Sequence, residues 1–343
     1  MMIDDKVLIK RDNGEMAEAK SPVIVSASRS TDIPAFFSDW FLHRLKVGYS
    51  AWTNPFNGIR KYVSYQNTRL IVFWSKNPKH LLDKDGLLDF LQTKEINCYV
   101  QYTLNDYERE HLERRVPPLT DRIDTFKALV DRLGFGKVIW RFDPLILTDT
   151  IDINCLLDKV KRIGDQLKGY TEKLVFSFAD IDTYRKVKAN LENNGINYRN
   201  FSDTEILQIA VGLQHLNKEW NYTLATCGEK IDLKQFDIIH NKCVDDDLII
   251  KYFSTDSKLM EFLGVEIHEP DLFGGEKIIV KKKKLKDKGQ RQFCGCIASK
   301  DIGEYNTCAH LCEYCYANSS KESALSNYRC HGNNPYSETI SGK

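Results

Sequence analysis

The sequence predicts an α/β protein built on a TIM-like (β/α) barrel, either complete, partial or circularly permuted. Two observations lead to this prediction. From residue 22 onward, short apolar runs alternate with longer amphipathic segments, which is the pattern of repeated βα units. Polar residues follow several of these runs, at the positions where active sites of βα barrels lie. The last fifty residues depart from the pattern because they are rich in cysteine, and we expect them to complete or cap the barrel.

Seven apolar runs are predicted to be strands. They are rich in Val, Ile, Phe, Tyr and Trp, and several are apolar on both faces, as the strands of a buried parallel sheet are. They span residues 22–28, 49–52, 70–74, 96–103, 137–142, 173–178 and 221–226.

Five segments between these runs have helical spacing of their apolar residues. One opens with a capping box formed by Ser202 and Glu205, and another begins at Pro78, a residue suited to a first helical turn. The predicted helices span residues 37–45, 78–94, 119–134, 152–168 and 202–220. A doubly wound open sheet is the alternative architecture, although no Gly-x-Gly-x-x-Gly follows any predicted strand.

Composition limits the classes of function. Hydrophobic residues make up 42% of the 343 positions and charged residues 28%, so the chain can bury a full core and is not disordered. The net charge is +1, so a surface for nucleic acid would have to be local. No apolar run reaches membrane-spanning length, and the first twenty residues lack the pattern of a signal peptide. We therefore expect a cytoplasmic protein with reduced thiols and no membrane partner.

Three regions are predicted along the chain. Residues 20–230 contain the (β/α) repeats. Residues 231–292 form helical connections that end in a basic loop, and residues 293–343 form the cysteine-rich segment.

Polar side chains at the ends of the predicted strands are candidates for lining a cofactor and substrate cavity. They are Ser28, Arg29, Asn54, Lys76, Arg141 and Asp143. Loops at the carboxyl ends of barrel strands carry the chemistry in this architecture. The alternative interpretation is that the Ser, Asn-Pro and Asp-Pro positions only form turns.

The cysteines are the most informative feature of the sequence. Six of the ten lie in the last fifty residues, and three have the spacing Cys308-x-x-x-Cys312-x-x-Cys315, with Tyr314 just before the third. Three thiolates on one tight loop can hold three irons of a [4Fe–4S] cluster and leave the fourth iron open to another ligand. This spacing resembles that of the radical S-adenosylmethionine enzymes. A structural zinc site is the alternative, since such sites also use closely spaced cysteines.

Nearly the whole chain resembles the bacterial domain-of-unknown-function family 1848. The resemblance rests on the segments VSASRSTDIPAF, AWTNPF, FWSKNP, WRFDP, ATCGE and CGCIASKDIGEYNTCAHLCEYCYAN. It implies a C-terminal cluster like that of the radical S-adenosylmethionine enzymes, without a substrate or a reaction.

The position of the cysteines at the end of the chain is unusual for radical S-adenosylmethionine enzymes. If residues 302–307 form a strand beside 22–28, followed by a helix over 318–329, the barrel is circularly permuted. An appended cap is the alternative. Gly274-Gly275-Glu276 is similar to the Gly-Gly-Glu that contacts the methionine amino group in those enzymes.

A second set of cysteines could hold an auxiliary cluster or a zinc ion. It comprises Cys227, Cys243, Cys294 and Cys296. The alternative for Cys227 and Cys243 is burial as small apolar side chains, which we also expect for Cys98 and Cys155.

The favoured function is therefore an enzyme that generates a 5′-deoxyadenosyl radical from S-adenosylmethionine at a [4Fe–4S] cluster. It would need a reductase or a flavodoxin-like electron donor, and its substrate is not indicated. One alternative is a non-catalytic iron–sulfur or zinc protein with a structural or redox-sensing role. Another is a nucleic-acid-binding module that uses the basic loop around Lys281–Lys284, although a solvated loop is the simpler explanation.

Overall fold

The structure, a computed structural model, describes residues 5–54, 57–268 and 278–343. Sixteen strands are described. In chain order they are β1 (Lys6–Lys10), β2 (Met16–Lys20), β3 (Ile24–Ala27), β4 (Tyr49–Thr53), β5 (Arg60–Ser64), β6 (Leu70–Ser75), β7 (Asn97–Thr103), β8 (Val138–Leu145), β9 (Leu147–Thr148), β10 (Lys173–Phe178), β11 (Tyr198–Arg199), β12 (Thr223–Thr226), β13 (Ile238–His240), β14 (Val265–His268), β15 (Ile278–Lys281) and β16 (Lys300–Asp301).

Ten α-helices lie within the described ranges. They are α1 (Ile33–Phe36), α2 (Ser38–Val47), α3 (Leu87–Thr93), α4 (Leu119–Leu133), α5 (Ile153–Leu167), α6 (Arg185–Asn193), α7 (Asp203–Trp220), α8 (Asp246–Phe253), α9 (Ser257–Leu263) and α10 (Lys321–Asn333). The predicted capping box at Ser202 and Glu205 begins α7. The helix predicted over 78–94 is divided into a 3-10 turn, Pro78–Leu82, and α3, because Asp85 adopts a left-handed backbone conformation between them.

The centre of the molecule is a sheet of eight parallel strands in the order β13-β12-β10-β8-β7-β6-β3-β16. The prediction of an α/β protein with a large parallel sheet is confirmed. A closed barrel is not confirmed, because the edge strands β13 and β16 do not pair with each other in the described part of the chain.

The two faces of this sheet bury different partners. One face packs against helices α1–α7 through residues that include Phe73, Val100 and Trp140. The other face packs against α8, α9 and the segment around Cys296, through residues that include Ile139. Apolar residues on both faces explain why the strands read as continuous apolar runs in the sequence.

Two of the predicted strands are corrected by the structure. The run 49–52 forms β4, which pairs antiparallel with β5 in a separate four-stranded sheet of order β1-β2-β5-β4. The turn after β4 is short enough for a hairpin, with the N–H of Asn54 bonded to the carbonyl of Ile59. The strand predicted over 302–307 is wrong, because the strand ends at Asp301, whose carboxylate accepts the N–H of Gly303 (2.9 Å) and forms a turn.

The three predicted regions meet in one sheet. Strand β13 comes from the region 231–292 and β16 from the cysteine-rich segment, and β16 pairs in parallel with β3. The segment that precedes β16 also contacts the segment that follows β13, where the N–H of Ile297 bonds to the carbonyl of Val244 (3.0 Å). The ends of the open sheet are therefore linked by backbone contacts outside the strands themselves.

Candidate functional site

The three-cysteine loop (residues 308–315) follows β16 and lies at the carboxyl edge of the large sheet. Within it, Nε2 of His310 lies 2.8 Å from Oδ2 of Asp32. Just beyond it, the hydroxyl of Tyr316 donates to the carbonyl of Arg29 (2.8 Å). Asp32 and Arg29 both follow β3, so the loop is fixed to the strand that neighbours its own.

The three cysteine side chains of this loop are enclosed. Cys312 is 7% exposed, and Cys308 and Cys315 are half-buried. Burial raises the pKa of all three thiols, and the Lys76 ammonium only partly opposes this effect at Cys312 and Cys315. Thiols in such surroundings are poor free nucleophiles, whereas a bound metal centre would deprotonate them. The loop is therefore suited to holding a metal centre.

A buried polar network fixes Tyr314 within the loop. Its hydroxyl donates to the carboxylate of Glu113 and accepts from Nζ of Lys76 (2.8 Å) and Nδ2 of Asn105 (3.0 Å). Lys76 also pairs with Glu113 at 2.7 Å, where the Glu113 side chain is 1% exposed. Burial acts to raise the pKa of Glu113, but the charges of Lys76 and Arg122 outweigh it and hold that pKa below its usual value. Lys76 is thus a paired ion that positions the loop.

A second polar group lies on the sheet beside this network. The ring of Trp74 contacts two guanidinium groups, with Arg29 at 5.0 Å and Arg141 at 5.4 Å from its centroid. Arg141 pairs with Asp143, whose carboxylate also accepts the hydroxyl of Ser177. Nη2 of Arg29 and Nε1 of Trp74 are buried and donate no hydrogen bond to the described residues. Buried donors are rarely left unsatisfied, so these two N–H groups are available to a polar ligand.

The four-thiol group (Cys227, Cys243, Cys294 and Cys296) is brought together by the fold. The sulfurs of Cys227 and Cys243 are 3.5 Å apart. Sγ of Cys296 accepts the backbone N–H of Cys243 (3.3 Å), and the neighbouring Cys296 thiol lowers the pKa of Cys294 to about 7. The four side chains therefore form a connected row of sulfurs between the two ends of the sheet.

Metal-ligating atoms are crowded most closely elsewhere. Within the described ranges, only Asp245, Asp246 and Asp247 place three such atoms within 4.8 Å of one another. Asp245 caps α8, and the other two carboxylates pair with Lys242 and Lys281, so this acidic group is explained without a metal. The three-cysteine loop is more open than this spacing. The four-thiol group is also more open than this spacing.

Two of the predicted lining residues lie away from this polar surface or serve the local backbone. Ser28 is buried, and its hydroxyl accepts the N–H groups of Ser30 (3.0 Å) and Thr31 (3.3 Å), so it stabilises the turn after β3. Asn54 belongs to the β4–β5 hairpin of the smaller sheet rather than to a strand of the large sheet. These local contacts agree with the turn-former interpretation, and a lining role for the two residues stays a prediction.

The basic segment is largely occupied by local contacts. Lys281 pairs with Asp246 and Asp247, Lys282 pairs with Glu266, and Nζ of Lys283 donates to backbone carbonyls of α9. Gly274-Gly275-Glu276 lies outside the described residues.

Two surface clefts of about 520 and 500 Å³ lie at the amino ends of the strands, around Arg69 and Asn97. They are at the edge of the sheet opposite the cysteines. In βα folds the carboxyl edge carries the chemistry, so the polar surface near Trp74 is the better candidate.

Several residues of the site carry no signal in the sequence. Glu113 and Asn105 lie in loops without a recognisable motif, and Glu113 contacts Tyr314 across 201 positions of chain. His310 lies between two cysteines, where its residue type alone suggests a ligand, yet it bonds to Asp32. Trp74 is indicated only by its place at the end of an apolar run.

A comparison with protein-family models shows the family to which the chain belongs. The family model described as Domain of unknown function (DUF1848) matches residues 24–317, and the chain belongs to this family. A search among curated proteins found no match. None of the described helices combines the length and apolarity needed to cross a membrane.

Proposed function

We propose that the protein is an iron–sulfur enzyme of the radical S-adenosylmethionine type. The observation that carries this proposal is the placement of Cys308, Cys312 and Cys315 on one enclosed loop, directly after a parallel strand and at the carboxyl edge of the sheet. When bound there, a [4Fe–4S] cluster with S-adenosylmethionine on its open iron would supply a 5′-deoxyadenosyl radical.

The order of the strands supports the proposal. In the large sheet β16 stands before β3, and the remaining strands then follow in chain order to β13. Strand β16, the three-cysteine loop and α10 thus form a βα unit that is last in the chain and first in the sheet. We propose that the sheet is a circularly permuted partial barrel in which this unit occupies the first position.

The surrounding residues have separate tasks in this proposal. Glu113 and Lys76 hold Tyr314 and thereby orient the loop, while the His310–Asp32 contact ties it to β3. Arg29 presents a buried, unpartnered N–H that suits the carboxylate of the methionine group or a substrate oxygen. Together with Trp74 it would bound the cavity and exclude water from a reactive radical.

The proposal also implies partners. A reductase or flavodoxin-like protein would deliver the electron to the cluster, and the reduced cytoplasm would keep the thiols available.

The test begins with anaerobic reconstitution of the full chain with iron and sulfide. We expect about four irons at the three-cysteine loop, with an electron paramagnetic resonance signal in the reduced protein that changes when S-adenosylmethionine is added. Dithionite-reduced protein should release 5′-deoxyadenosine. Cys312→Ala should abolish both responses, because two thiolates of the loop cannot hold the cluster in this form.

Cys155→Ala is the matched control, because Cys155 is a free cysteine on α5, remote from the loop in sequence. It should bind S-adenosylmethionine as the unmodified chain does. A fully loaded cluster whose spectrum is unchanged by S-adenosylmethionine, with no binding in calorimetry, would contradict catalysis. That result would favour the alternative of a structural or redox-sensing iron–sulfur protein.

The other alternative, binding of nucleic acid through the basic segment, has less support. The lysines Lys281 and Lys282 are already paired with acidic side chains, and the chain as a whole has a net charge of +1.

A further inference from the structure

We propose that the four-thiol group binds one Zn²⁺ ion, and that this ion joins the two ends of the open sheet. The inference uses none of the cysteines of the three-cysteine loop and does not depend on the proposed enzymatic activity. It assigns a closed structural metal site of the tetrathiolate class to Cys227, Cys243, Cys294 and Cys296.

One of the sulfur–sulfur distances fits a single ion, although no three of the four sulfurs lie within 4.8 Å of one another. Four thiolates at about 2.3 Å from one zinc lie about 3.8 Å from each other along the edge of the tetrahedron. The sulfurs of Cys227 and Cys243 are 3.5 Å apart, close to that edge. A cubane would separate its thiolates further, because each binds a different iron. The row of sulfurs would close into a tetrahedron by moving its outer members, Cys227 and Cys294, toward the inner pair.

The inner pair of sulfurs is surrounded by donors. Sγ of Cys296 accepts the backbone N–H of Cys243 (3.3 Å) and of Val244 (3.4 Å). Sγ of Cys243 accepts Nη1 of Arg141 (3.0 Å) and Nδ2 of Asn241 (3.0 Å). A neutral thiol is a weak acceptor, so four N–H donors on two sulfurs indicate an environment built for thiolates. Hydrogen bonds of this kind orient metal ligands in proteins.

The charges around the group would compensate a tetrathiolate in part. Four thiolates and one Zn²⁺ carry a net charge of −2, which needs compensation in a buried place. Arg141 is 3% exposed and contacts Cys243 directly. The guanidinium of Arg29 is the other one near the group, and it pairs with Asp301 (3.8 Å). Arg141 therefore brings a positive charge into direct contact with the site, although it is shared with Asp143.

The position of the group gives the ion a task. Cys227 follows β12 and Cys243 follows the edge strand β13, while Cys294 and Cys296 precede the opposite edge strand β16. These strands do not pair in the described part of the chain, and a few backbone contacts such as Ile297 to Val244 hold the segments together. A metal bound by both segments would fasten the sheet ends. Because β16 precedes the three-cysteine loop, the bound ion would also hold the amino-terminal end of that loop in place.

The experiment measures zinc and iron separately in the full chain. After reconstitution with iron, sulfide and zinc, elemental analysis should find about one tightly held zinc ion per chain. Replacement of Cys308, Cys312 and Cys315 by Ser should remove the iron and leave the zinc. The double variant Cys294→Ser and Cys296→Ser should lose the zinc, while the control Cys98→Ser, which alters a buried cysteine of β7, should keep it.

A second measurement on the unaltered chain guards against variants that do not fold. Replacement of zinc by Co²⁺ should give the intense visible absorption of a tetrahedral thiolate site, and removal of the ion by a chelator should lower the melting temperature. Absence of bound zinc in the unaltered chain, or zinc retained by the double variant, would overturn the proposal. So would a second iron–sulfur cluster at these cysteines. Failure of S-adenosylmethionine cleavage would leave the zinc measurement unaffected.

Discussion

At the scale of single residues, the site depends on buried pairs between the three-cysteine loop and the strands beneath it. The His310–Asp32 contact is the most enclosed of these, with His310 at 2% and Asp32 at 5% exposure. Asp32 also accepts the N–H of Ala35 and of Lys76. One carboxylate therefore connects the loop after β3, the loop after β6 and the three-cysteine loop.

The first residue-scale prediction concerns this contact. His310→Ala should reduce the iron retained after gel filtration, because the loop loses its link to β3 and a buried carboxylate oxygen loses a partner. Loss of such a partner costs about 1–3 kcal/mol. The measurements are iron content and the free energy of unfolding in urea. His215→Ala, at an exposed position of α7, should change neither quantity. Equal iron retention in both variants would show that the contact does not position the loop.

The second residue-scale prediction concerns Lys300, whose ammonium lies 3.9 Å from the centroid of the Trp52 ring. Burial, against the opposing charge of Asp301 and helped by the charges of Lys20 and Lys61, lowers the pKa of Lys300 to about 8. In the unfolded chain Lys300 has the ordinary lysine pKa of 10.5, so between about pH 8 and 10.5 the unfolded chain binds more protons than the native state. Stability from this group therefore rises with pH across that window.

The measurement is the free energy of unfolding in urea at about pH 7.5 and about pH 9.5. Lys300→Met should be more stable than the unmodified chain at the lower pH, and its stability should rise less between the two. Lys218→Met, at an exposed position of α7, is the control and should follow the unmodified chain. A rise of equal size in all three proteins would exclude Lys300 as its origin.

At the scale of elements, the attachment of β16 decides where the three-cysteine loop lies. This strand has only two residues, and Lys300 and Asp301 pair with Val25 and Ser26 of β3. The carboxylate of Asp301 adds bonds to the hydroxyl of Ser26 (3.1 Å) and the N–H of Arg29 (2.8 Å). Side-chain contacts thus supplement a short ladder of backbone bonds.

The close approach of Gly303 to β3 gives a prediction at this scale. A Cβ atom at Gly303 would lie 1.9 Å from Oγ and 2.7 Å from Cβ of Ser28. Gly303→Ala should therefore push the start of the loop away from β3, destabilise the fold by about 1–3 kcal/mol and lower iron content. Gly332→Ala is the control in α10, where an added Cβ meets nothing within 4 Å. It should stabilise the helix by about 0.5–1 kcal/mol. If Gly303→Ala matches the control in both measurements, the loop tolerates displacement.

At the scale of the whole molecule, the sequence predicts most helices and strands but not which strands pair with one another. Strong apolar runs locate six strands of the large sheet, and the capping box locates α7, because these signals are local. The seventh run, β4, has the same composition, and only its hairpin partner β5 assigns it to the smaller sheet. Local pattern cannot report which strand a run pairs with.

The candidate site likewise has one part that the sequence predicts and one part that only the fold reveals. The spacing of the cysteines predicts the three-cysteine loop, because a candidate metal site formed by residues close together in the chain is visible in the sequence. The partners of the loop cannot be found from the sequence, because Glu113, Asn105 and Asp32 reach it only through the fold. The sequence also cannot show the local contacts of the predicted lining residues. The hydroxyl of Ser28 accepts an N–H of the turn after β3, and Lys76 forms an ion pair with Glu113.

The position of β16 has a consequence for the time at which the protein matures. During synthesis on the ribosome, β3 is made early and its outer side stays without a neighbour until nearly all the described strands have been made. An unpaired strand edge can join another chain, and nascent chains fold from their amino-terminal parts first. Insertion of β16 is therefore a late step that both covers this edge and brings the cysteines into place. Under the proposed function, iron would therefore enter the loop only after β16 has paired with β3, near the end of synthesis or after it.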